Sequence, residues 1–328
     1  MRYTHLGRTA LQISGICLGT LNLGVRADEL ESYAILDTAV DYGINFVDTA
    51  NQYGWQKYKG FSEDFLGSWF AQGGGRREKT VLATKVGNPM SEWPNESGLS
   101  ARHIIASCEA SLRRLGTDWI DLYQMHHIDR HAPWPEVWQA METLTQQGKV
   151  RYVGSSNFAG WHIAEAQESA ERRNFLGLVS EQSVYNLVTR HIELEVIPAC
   201  VRYGVAVLPW SPLHGGLLSG VLRKLSEDRA MKSGQGRAAE AMELHRDAIA
   251  AYEKLCAEID AEPAEVGLAW VMSRPGVTAP VVGPRSVEQL DSAVRAMDLR
   301  LSDDVLKRLD ALFPPVGKGG PGPEAWAW

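Results

Sequence analysis

Two ionisable residues lie within short apolar runs, where a buried charge needs a partner. Asp48 interrupts the run Phe46–Ala50, and Lys85 closes the run Val81–Lys85. A carboxylate inside an apolar strand is costly unless it is paired, and the Lys85 ammonium can supply the opposite charge. Taken alone, the pair also fits a structural ion pair, because buried charges are usually paired whatever their role.

Tyr53 and His126 add proton-transfer chemistry to this pair. Tyr53 follows Asp48 in a loop that can bring it beside Lys85, and a nearby ammonium lowers a tyrosine pKa from its usual value of about 10. A tyrosine tuned in this way can act as a general acid. His126 ends the run Ile120–His126, from which its imidazole can hydrogen-bond the oxygen that receives the proton. Alone, His126 would be interpreted as a core histidine.

These side chains need a fold that gathers strand ends at one place. Short β-branched runs alternate with helix-period segments through nearly the whole chain, which indicates a parallel sheet. We therefore predict one α/β domain, residues 1–328, folded as a (β/α)8 TIM barrel whose strand C-termini converge on one face. Its strands are predicted at Ile16–Thr20, Phe46–Ala50, Val81–Lys85, Ile120–His126, Val150–Gly154, Leu178–Gln182, Val205–Trp210 and Ala279–Gly283.

A short hairpin, helices and two irregular segments complete the predicted barrel. The hairpin precedes the first strand, and apolar stripes at helical spacing end at Gly43, Gly116 and Gly148, which suit helix C-terminal caps. Extra helices and loops are predicted at the C-terminal end of the chain, with Arg223–Glu240 as a long loop over the barrel mouth. The tail, 314–328, either folds near the active site or is poorly ordered.

Composition and charge exclude several classes of protein. Hydrophobic residues make up 45% and charged residues 22% of the chain, which is ordinary for a folded soluble protein. A net charge of −7 gives no general attraction to nucleic acid or to anionic membranes. The N-terminus lacks a secretory signal, no run is long enough to span a membrane, and the four cysteines have no metal-ligand spacing. We expect a cytoplasmic protein without a metal.

Five short motifs surround the polar residues. They are Leu6-Gly7-Arg8-Thr9 with Leu18-Gly19-Thr20, Asp48-Thr49-Ala50-Asn51-Gln52-Tyr53-Gly54, Ala83-Thr84-Lys85, Asp121-Leu122-Tyr123-Gln124-Met125-His126 and Gly154-Ser155-Ser156-Asn157-Phe158. Together they resemble the signatures of the aldo-keto reductase superfamily over essentially the full chain. The resemblance implies that Asp48, Tyr53, Lys85 and His126 form a catalytic tetrad. It implies reduction of an aldehyde or ketone by hydride transfer, with Tyr53 as the general acid.

The same resemblance implies an NADPH/NADP+ cofactor extended across the barrel mouth. It implies that Ser156, Asn157 and Gln182 hold the nicotinamide carboxamide and that Trp210 stacks on the ring. Arg285, whose guanidinium suits an anion, is implied to bind the adenosine 2′-phosphate. Further cofactor contacts are implied for Gly19, Thr20, Leu21, Ser211, Pro212, Leu213, Gly216, Leu217, Gly283 and Gln289.

Two features bear on the nucleotide end of this site. Gly317–Gly322 matches G-x-G-x-x-G, but no strand leads into it and only six residues follow it, so it is rejected as a dinucleotide fingerprint. Ser292 and Ala293 stand where relatives typically carry Glu-Asn. This departure leaves the adenine contacts and the strength of the preference for NADPH over NADH open.

Two other functions use the same residues. A metal-dependent barrel hydrolase would need His126, His127, Asp129 and His131, yet adjacent residues on a strand point to opposite faces, so His126 and His127 would not share a metal. A nicotinamide-binding regulatory module, as in the potassium-channel β subunits, would share the fold and the tetrad. The carbonyl substrate, whether sugar, aliphatic or aromatic, and the oligomeric state stay open.

Overall fold

The structure, a computed structural model, describes residues 1–226 and 237–316. The chain opens with an antiparallel hairpin of β1 (Tyr3–His5) and β2 (Gln12–Ser14). Leu6 and Ile13 of this hairpin are fully buried in one cluster with residues of the barrel strands. The hairpin therefore covers one end of the sheet, and the strand C-termini form the open mouth.

Eight parallel strands follow, in the order β10-β3-β4-β5-β6-β7-β8-β9. The ring closes where Thr278 N donates to Val207 O (2.9 Å) and Val281 N donates to Pro209 O (2.8 Å). The predicted (β/α)8 TIM barrel is confirmed, and all eight predicted strands are present. The observed strands are β3 (Cys17–Gly19), β4 (Phe46–Asp48), β5 (Val81–Val86), β6 (Ile120–Met125), β7 (Val150–Ser156), β8 (Leu178–Gln182), β9 (Ala206–Val207) and β10 (Val281–Val282).

Helices surround the sheet, and their ends follow the local sequence. Ser100 caps α3 by accepting a hydrogen bond from His103 N, and Gly116 ends that helix with a φ of 61°, which glycine adopts without steric cost. The helices described are α1 (Glu29–Asp41), α2 (Phe61–Phe70), α3 (Ala101–Leu115), α4 (Trp134–Gln146), α5 (Gly160–Glu171), α6 (Val196–Tyr203), α7 (Val221–Ser226), α8 (Arg237–Glu258), α9 (Pro263–Ser273), α10 (Val287–Arg295) and α11 (Asp303–Leu312).

The prediction of a loop at Arg223–Glu240 is wrong at both ends of that range, where the chain forms the end of α7 and the start of α8. Leu222 N and Arg223 N donate to the carboxylate of Glu253 on α8 (2.8 and 3.1 Å), so a distant side chain caps the first turn of α7. Positions 227–236 lie outside the described residues, as do positions 317–328, which include most of the predicted tail and the rejected glycine motif.

Two further expectations concern the chain as a whole. All four cysteines, at positions 17, 108, 200 and 256, are buried free thiols, as their scattered spacing predicts. No helix in the described part of the chain is both long enough and apolar enough to cross a membrane.

Candidate active site

The C-terminal ends of β4 and β5 bring three predicted site residues into direct contact. Lys85 Nζ donates to Asp48 Oδ2 at 2.5 Å, to Thr49 O at 3.0 Å and to Tyr53 Oη at 3.3 Å. Lys85 is fully buried and Asp48 is 2% exposed. The ammonium therefore uses its three N–H donors on one carboxylate, one carbonyl and one phenol.

Additional hydrogen bonds fix the carboxylate of Asp48. Its Oδ1 atom accepts from Gln124 Nε2 and from Gln182 Nε2, both at 2.9 Å. Gln124 comes from β6 and Gln182 from β8, so with Asp48 on β4 and Lys85 on β5 four strands of the barrel meet at one carboxylate. A buried ion pair is stable when its remaining lone pairs are satisfied in this way.

The pKa of Tyr53 differs from the sequence-based expectation. Burial raises the pKa of Tyr53 above its usual value, and the Lys85 ammonium offsets only part of that rise. Burial also opposes the charged form of Lys85, but Asp48 and Tyr53 outweigh it and raise the pKa of Lys85. The predicted net lowering of the tyrosine pKa is therefore wrong, because the residue is desolvated as well as paired. Tyr53 is a protonated phenol at neutral pH.

His126 lies beside Tyr53, with ring centroids 5.8 Å apart. Burial, then the charges of Lys85 and His127, lower the pKa of His126 to about 2, so its imidazole is neutral. Asn88 Nδ2 lies 3.0 Å from His126 Nδ1 and donates to Gln52 Oε1 at 2.6 Å. When Nδ1 accepts from this amide, the proton of the neutral ring is on Nε2.

Tyr53 and His126 line a cleft of about 1290 Å³ that crosses the barrel mouth from Trp55 to Arg285. This volume exceeds the usual range for a single small ligand, so a dinucleotide and a small substrate fit together. Of the predicted cofactor residues, the cleft is lined by Gly19, Leu21, Ser156, Asn157, Gln182, Trp210, Ser211, Pro212, Leu213, Gly216, Gly283, Arg285 and Gln289.

Two predicted cofactor residues do not line the cleft. Leu217 is fully buried in the hydrophobic core, so its side chain contributes to packing. Thr20 is 2% exposed, and its backbone N–H donates to Asp48 O. The side chains of both residues point away from the cleft, and a cofactor contact by either residue stays a prediction.

Asn157 connects the parts of the cleft nearest the tetrad. Its Nδ2 donates to His126 O (3.1 Å), and its Oδ1 accepts from Trp210 Nε1 (3.0 Å). The neighbouring Ser156 Oγ donates to Gln182 O at 2.7 Å. Asn157 has a φ of 59°, a left-handed conformation that asparagine tolerates better than most residues. The three residues predicted to hold a carboxamide are thus adjacent, and Trp210 is joined to them.

The far end of the cleft carries two arginines. Burial, and after it the charge of Arg26, lower the pKa of Arg285, so the two guanidiniums lie close enough to repel each other. Among the residues described, neither guanidinium has a carboxylate partner. Asn22 Nδ2 donates to Gly283 O, while the buried Asn22 Oδ1 has no hydrogen-bond partner among the described residues. Two neighbouring cations beside open polar atoms fit a dinucleotide carrying an extra phosphate.

Sequence reasoning missed Arg26, Asn22 and Asn88. Asn88 follows Lys85 beyond the end of β5, where the strand-end rule could have indicated it. Arg26 and Asn22 lie in the loop between β3 and α1. The loop carries no local pattern that distinguishes a cleft arginine from a solvated one.

His126 and His127 do not point to opposite faces, as the argument against a shared metal had predicted. The rings of His126 and His127 stack in parallel, with centroids 5.2 Å apart, and both line the cleft. Strand alternation does not apply here because β6 ends at Met125. Within residues 1–226 and 237–316, no three His, Cys, Asp or Glu side chains are grouped so that they could hold a metal.

Comparison with known proteins agrees with this fold and cleft. A model of the Aldo/keto reductase family matches residues 15–313. The chain therefore belongs to the aldo/keto reductase family, whose members reduce carbonyl groups with a nicotinamide cofactor, and it is an oxidoreductase.

Individual relatives cover almost all of the chain. It is 50% identical to the uncharacterized oxidoreductase YrpG of Bacillus subtilis in an alignment 336 positions long that covers 100% of each chain. It is 31% identical to versiconal hemiacetal acetate reductase of Aspergillus parasiticus, covering 96% of this chain and 98% of the relative. It is 32% identical to a putative voltage-gated potassium channel subunit beta of Schizosaccharomyces pombe, covering 96% and 94%.

Proposed function

We propose that this protein reduces an aldehyde or ketone with NADPH and that Tyr53 is the general acid. The observation that supports this most directly is the contact chain in which Lys85 Nζ joins Asp48 and Tyr53 beneath the cleft. The phenol is protonated at neutral pH and faces a site large enough for a cofactor and a substrate. A small-molecule carbonyl compound is the substrate class.

Each residue of the tetrad has a separate role in the reaction. When bound, the reduced nicotinamide supplies hydride to the carbonyl carbon. Tyr53 Oη donates a hydrogen bond to the carbonyl oxygen and transfers its proton as negative charge develops there. The Lys85 ammonium stabilises the phenolate that remains, because it lies beside Tyr53 Oη. His126 is neutral, and with Nδ1 accepting from Asn88 its Nε2–H donates a second hydrogen bond to the same oxygen.

Binding of the cofactor is assigned to the rest of the cleft. Ser156, Asn157 and Gln182 hold the carboxamide, and Trp210 provides an aromatic surface for the ring. Gln182 also binds Asp48, so the cofactor end and the proton-transfer end share a residue. At the far end Arg26 and Arg285 hold the 2′-phosphate, which favours NADPH over NADH.

We expect Arg26→Gln to weaken NADPH binding and to leave NADH binding nearly unchanged. A hydrogen bond to a charged group contributes about 1.5–3 kcal/mol, which corresponds to roughly 10- to 150-fold in Kd. Titration of each variant with both cofactors measures the effect, and exposed Arg102→Gln on α3 is the matched control. Equal weakening of NADPH and NADH would contradict the assignment of the 2′-phosphate.

The activity itself is tested by following NADPH absorbance with a panel of aldehydes, ketones and keto-sugars. We expect repeated turnover with at least one of them and no requirement for a partner protein. The second candidate function, a nicotinamide-binding regulatory module, is supported by the 32% identity to a protein named as a putative channel subunit beta. Stoichiometric oxidation of bound NADPH, without turnover, would favour that function and overturn ours.

A further inference from the structure

A second buried carboxylate lies next to the cleft and takes no part in the proton transfer. Glu181 of β8 is fully buried and precedes Gln182. Its carboxylate accepts hydrogen bonds from Ser183 Oγ (2.6 Å), Ser155 Oγ (2.5 Å) and Phe158 N (3.1 Å). Every one of these partners is a donor, and none of them is a cation.

These hydrogen bonds hold the short loop between β7 and α5. Phe158 follows Asn157, whose left-handed backbone and bonds to His126 and Trp210 join the loop to the cleft. The backbone of Asn157 also favours the charged form of Glu181. The Glu181 carboxylate therefore accepts hydrogen bonds both from the backbone of this loop and from Ser155 near the end of β7.

We propose that Glu181 is a positioning residue: its ionised carboxylate holds Ser156 and Asn157 in the conformation that binds the nicotinamide carboxamide, and cofactor affinity consequently depends on pH. The inference rests on the proposed function, since it assumes that these two residues bind that group. Glu181 itself lies behind the loop, because its carboxylate is fully buried and contacts the loop's backbone.

Protonation of Glu181 would disturb this arrangement for a simple reason. A protonated carboxyl group accepts hydrogen bonds more weakly than a carboxylate, and its own O–H needs an acceptor. The hydroxyl of Ser155 or Ser183 must turn to receive that proton, and the bond to Phe158 N weakens. Burial raises the pKa of Glu181 to about 7, and the hydrogen bonds from Ser155 and Ser183 limit the rise. Both protonation states are therefore populated near neutral pH, and the ionised state prevails as the pH rises above 7.

Three other titratable side chains lie in this region, Cys200, His162 and Glu195. Burial raises the pKa of Cys200 on α6 well above its usual value, so its thiol is neutral. Burial lowers the pKa of His162 on α5, and its Nδ1 accepts a hydrogen bond from Ala159 N, which favours the neutral ring. Glu195, at the start of α6, packs against Gly160 and adds a second carboxylate to this region.

The test is the pH dependence of NADPH binding in wild type and Glu181→Gln. Wild-type affinity is expected to fall about tenfold from pH 8 to pH 6, in proportion to the ionised fraction of a group with a pKa of about 7. Glutamine keeps an acceptor for Phe158 N but does not titrate. The variant should therefore bind more weakly than wild type at pH 8, and the difference should shrink as the pH falls to 6. Ionisation of NADPH itself affects both proteins alike.

Two controls keep the test decisive. Exposed Glu171→Gln, at the end of α5, should follow the wild-type profile. If Glu181→Gln does not fold, as judged by thermal unfolding, Ser183→Ala replaces it: loss of a hydrogen bond that lowers the pKa of Glu181 moves the midpoint of binding to higher pH.

The two possible failures are distinguishable. A ratio of wild-type to variant Kd that does not change between pH 6 and pH 8 overturns the role of Glu181 and leaves the proposed function intact. Absence of binding of both NADPH and NADH to wild type at every pH overturns the proposed function itself.

Discussion

Tyr53→Phe is expected to lower kcat for carbonyl reduction by about 10²–10⁴-fold, the range that a positioned general acid contributes. The change removes only Oη, which lies 3.3 Å from Lys85 Nζ, and Lys85 keeps its bonds to Asp48 and Thr49. The fold and the arginine end of the cleft are untouched, so NADPH should bind with nearly its wild-type Kd. Steady-state NADPH oxidation and a binding titration measure the two quantities separately.

A matched control removes a hydroxyl that also contacts a charged group. Tyr203 on α6 donates to Glu168 on the outer helical ring and does not line the cleft. Tyr203→Phe should therefore retain wild-type kcat. Near-normal carbonyl reduction by Tyr53→Phe would refute its assignment as the proton donor.

Lys85→Met is expected to have the largest effect on stability. The change leaves the buried carboxylate of Asp48 with two amide donors but no cation. Removing one partner of a buried ion pair typically costs about 3–5 kcal/mol. Urea unfolding followed by tryptophan fluorescence measures the free energy of unfolding. Lys149→Met, which breaks the half-exposed pair with Glu109, should cost less than about 1 kcal/mol.

The same variant should alter the pH behaviour of the site. Lys85 partly offsets the raised pKa of Tyr53, so its loss raises that pKa further and makes the phenol a weaker acid. Lys85 also helps to lower the pKa of His126 to about 2, so the pKa of His126 should rise. We expect kcat to fall about 10²-fold or more. An unchanged kcat and an unchanged histidine titration would show that Lys85 tunes neither residue.

The pH dependence of stability follows from the same pair. The folded-state pKa of Lys85 is raised above its usual value. A base with a raised pKa contributes stability throughout the range below its unfolded pKa and loses it as the pH rises through the folded value. The contribution of the Asp48–Lys85 pair should therefore be constant across neutral pH and disappear only in strong alkali. Lys85→Met should remove this alkaline transition.

Local pattern in the sequence was sufficient for the barrel and for part of its active site. Short apolar runs separated by helix-period segments indicate the eight strands, because parallel strands buried on both faces need continuous hydrophobic sequence. Asp48, Lys85 and His126 interrupt or end such segments, and a barrel topology brings the ends of its strands to one mouth. Their meeting could therefore be predicted from strand positions alone, and the structure brings Tyr53 to the same place.

Other properties were decided only by the tertiary structure. The upward shift of the Tyr53 pKa depends on how completely the residue is desolvated, which no local pattern reports. Arg26 meets Arg285, and Asn88 meets His126, across distances of 259 and 38 positions in the chain. Glu181 similarly depends on donors at Ser155 and Phe158, 26 and 23 positions away in the chain. The sequence pattern determined which residues reach the barrel mouth. The tertiary structure decided how they act there, because burial and long-range contacts set their charges and hydrogen bonds.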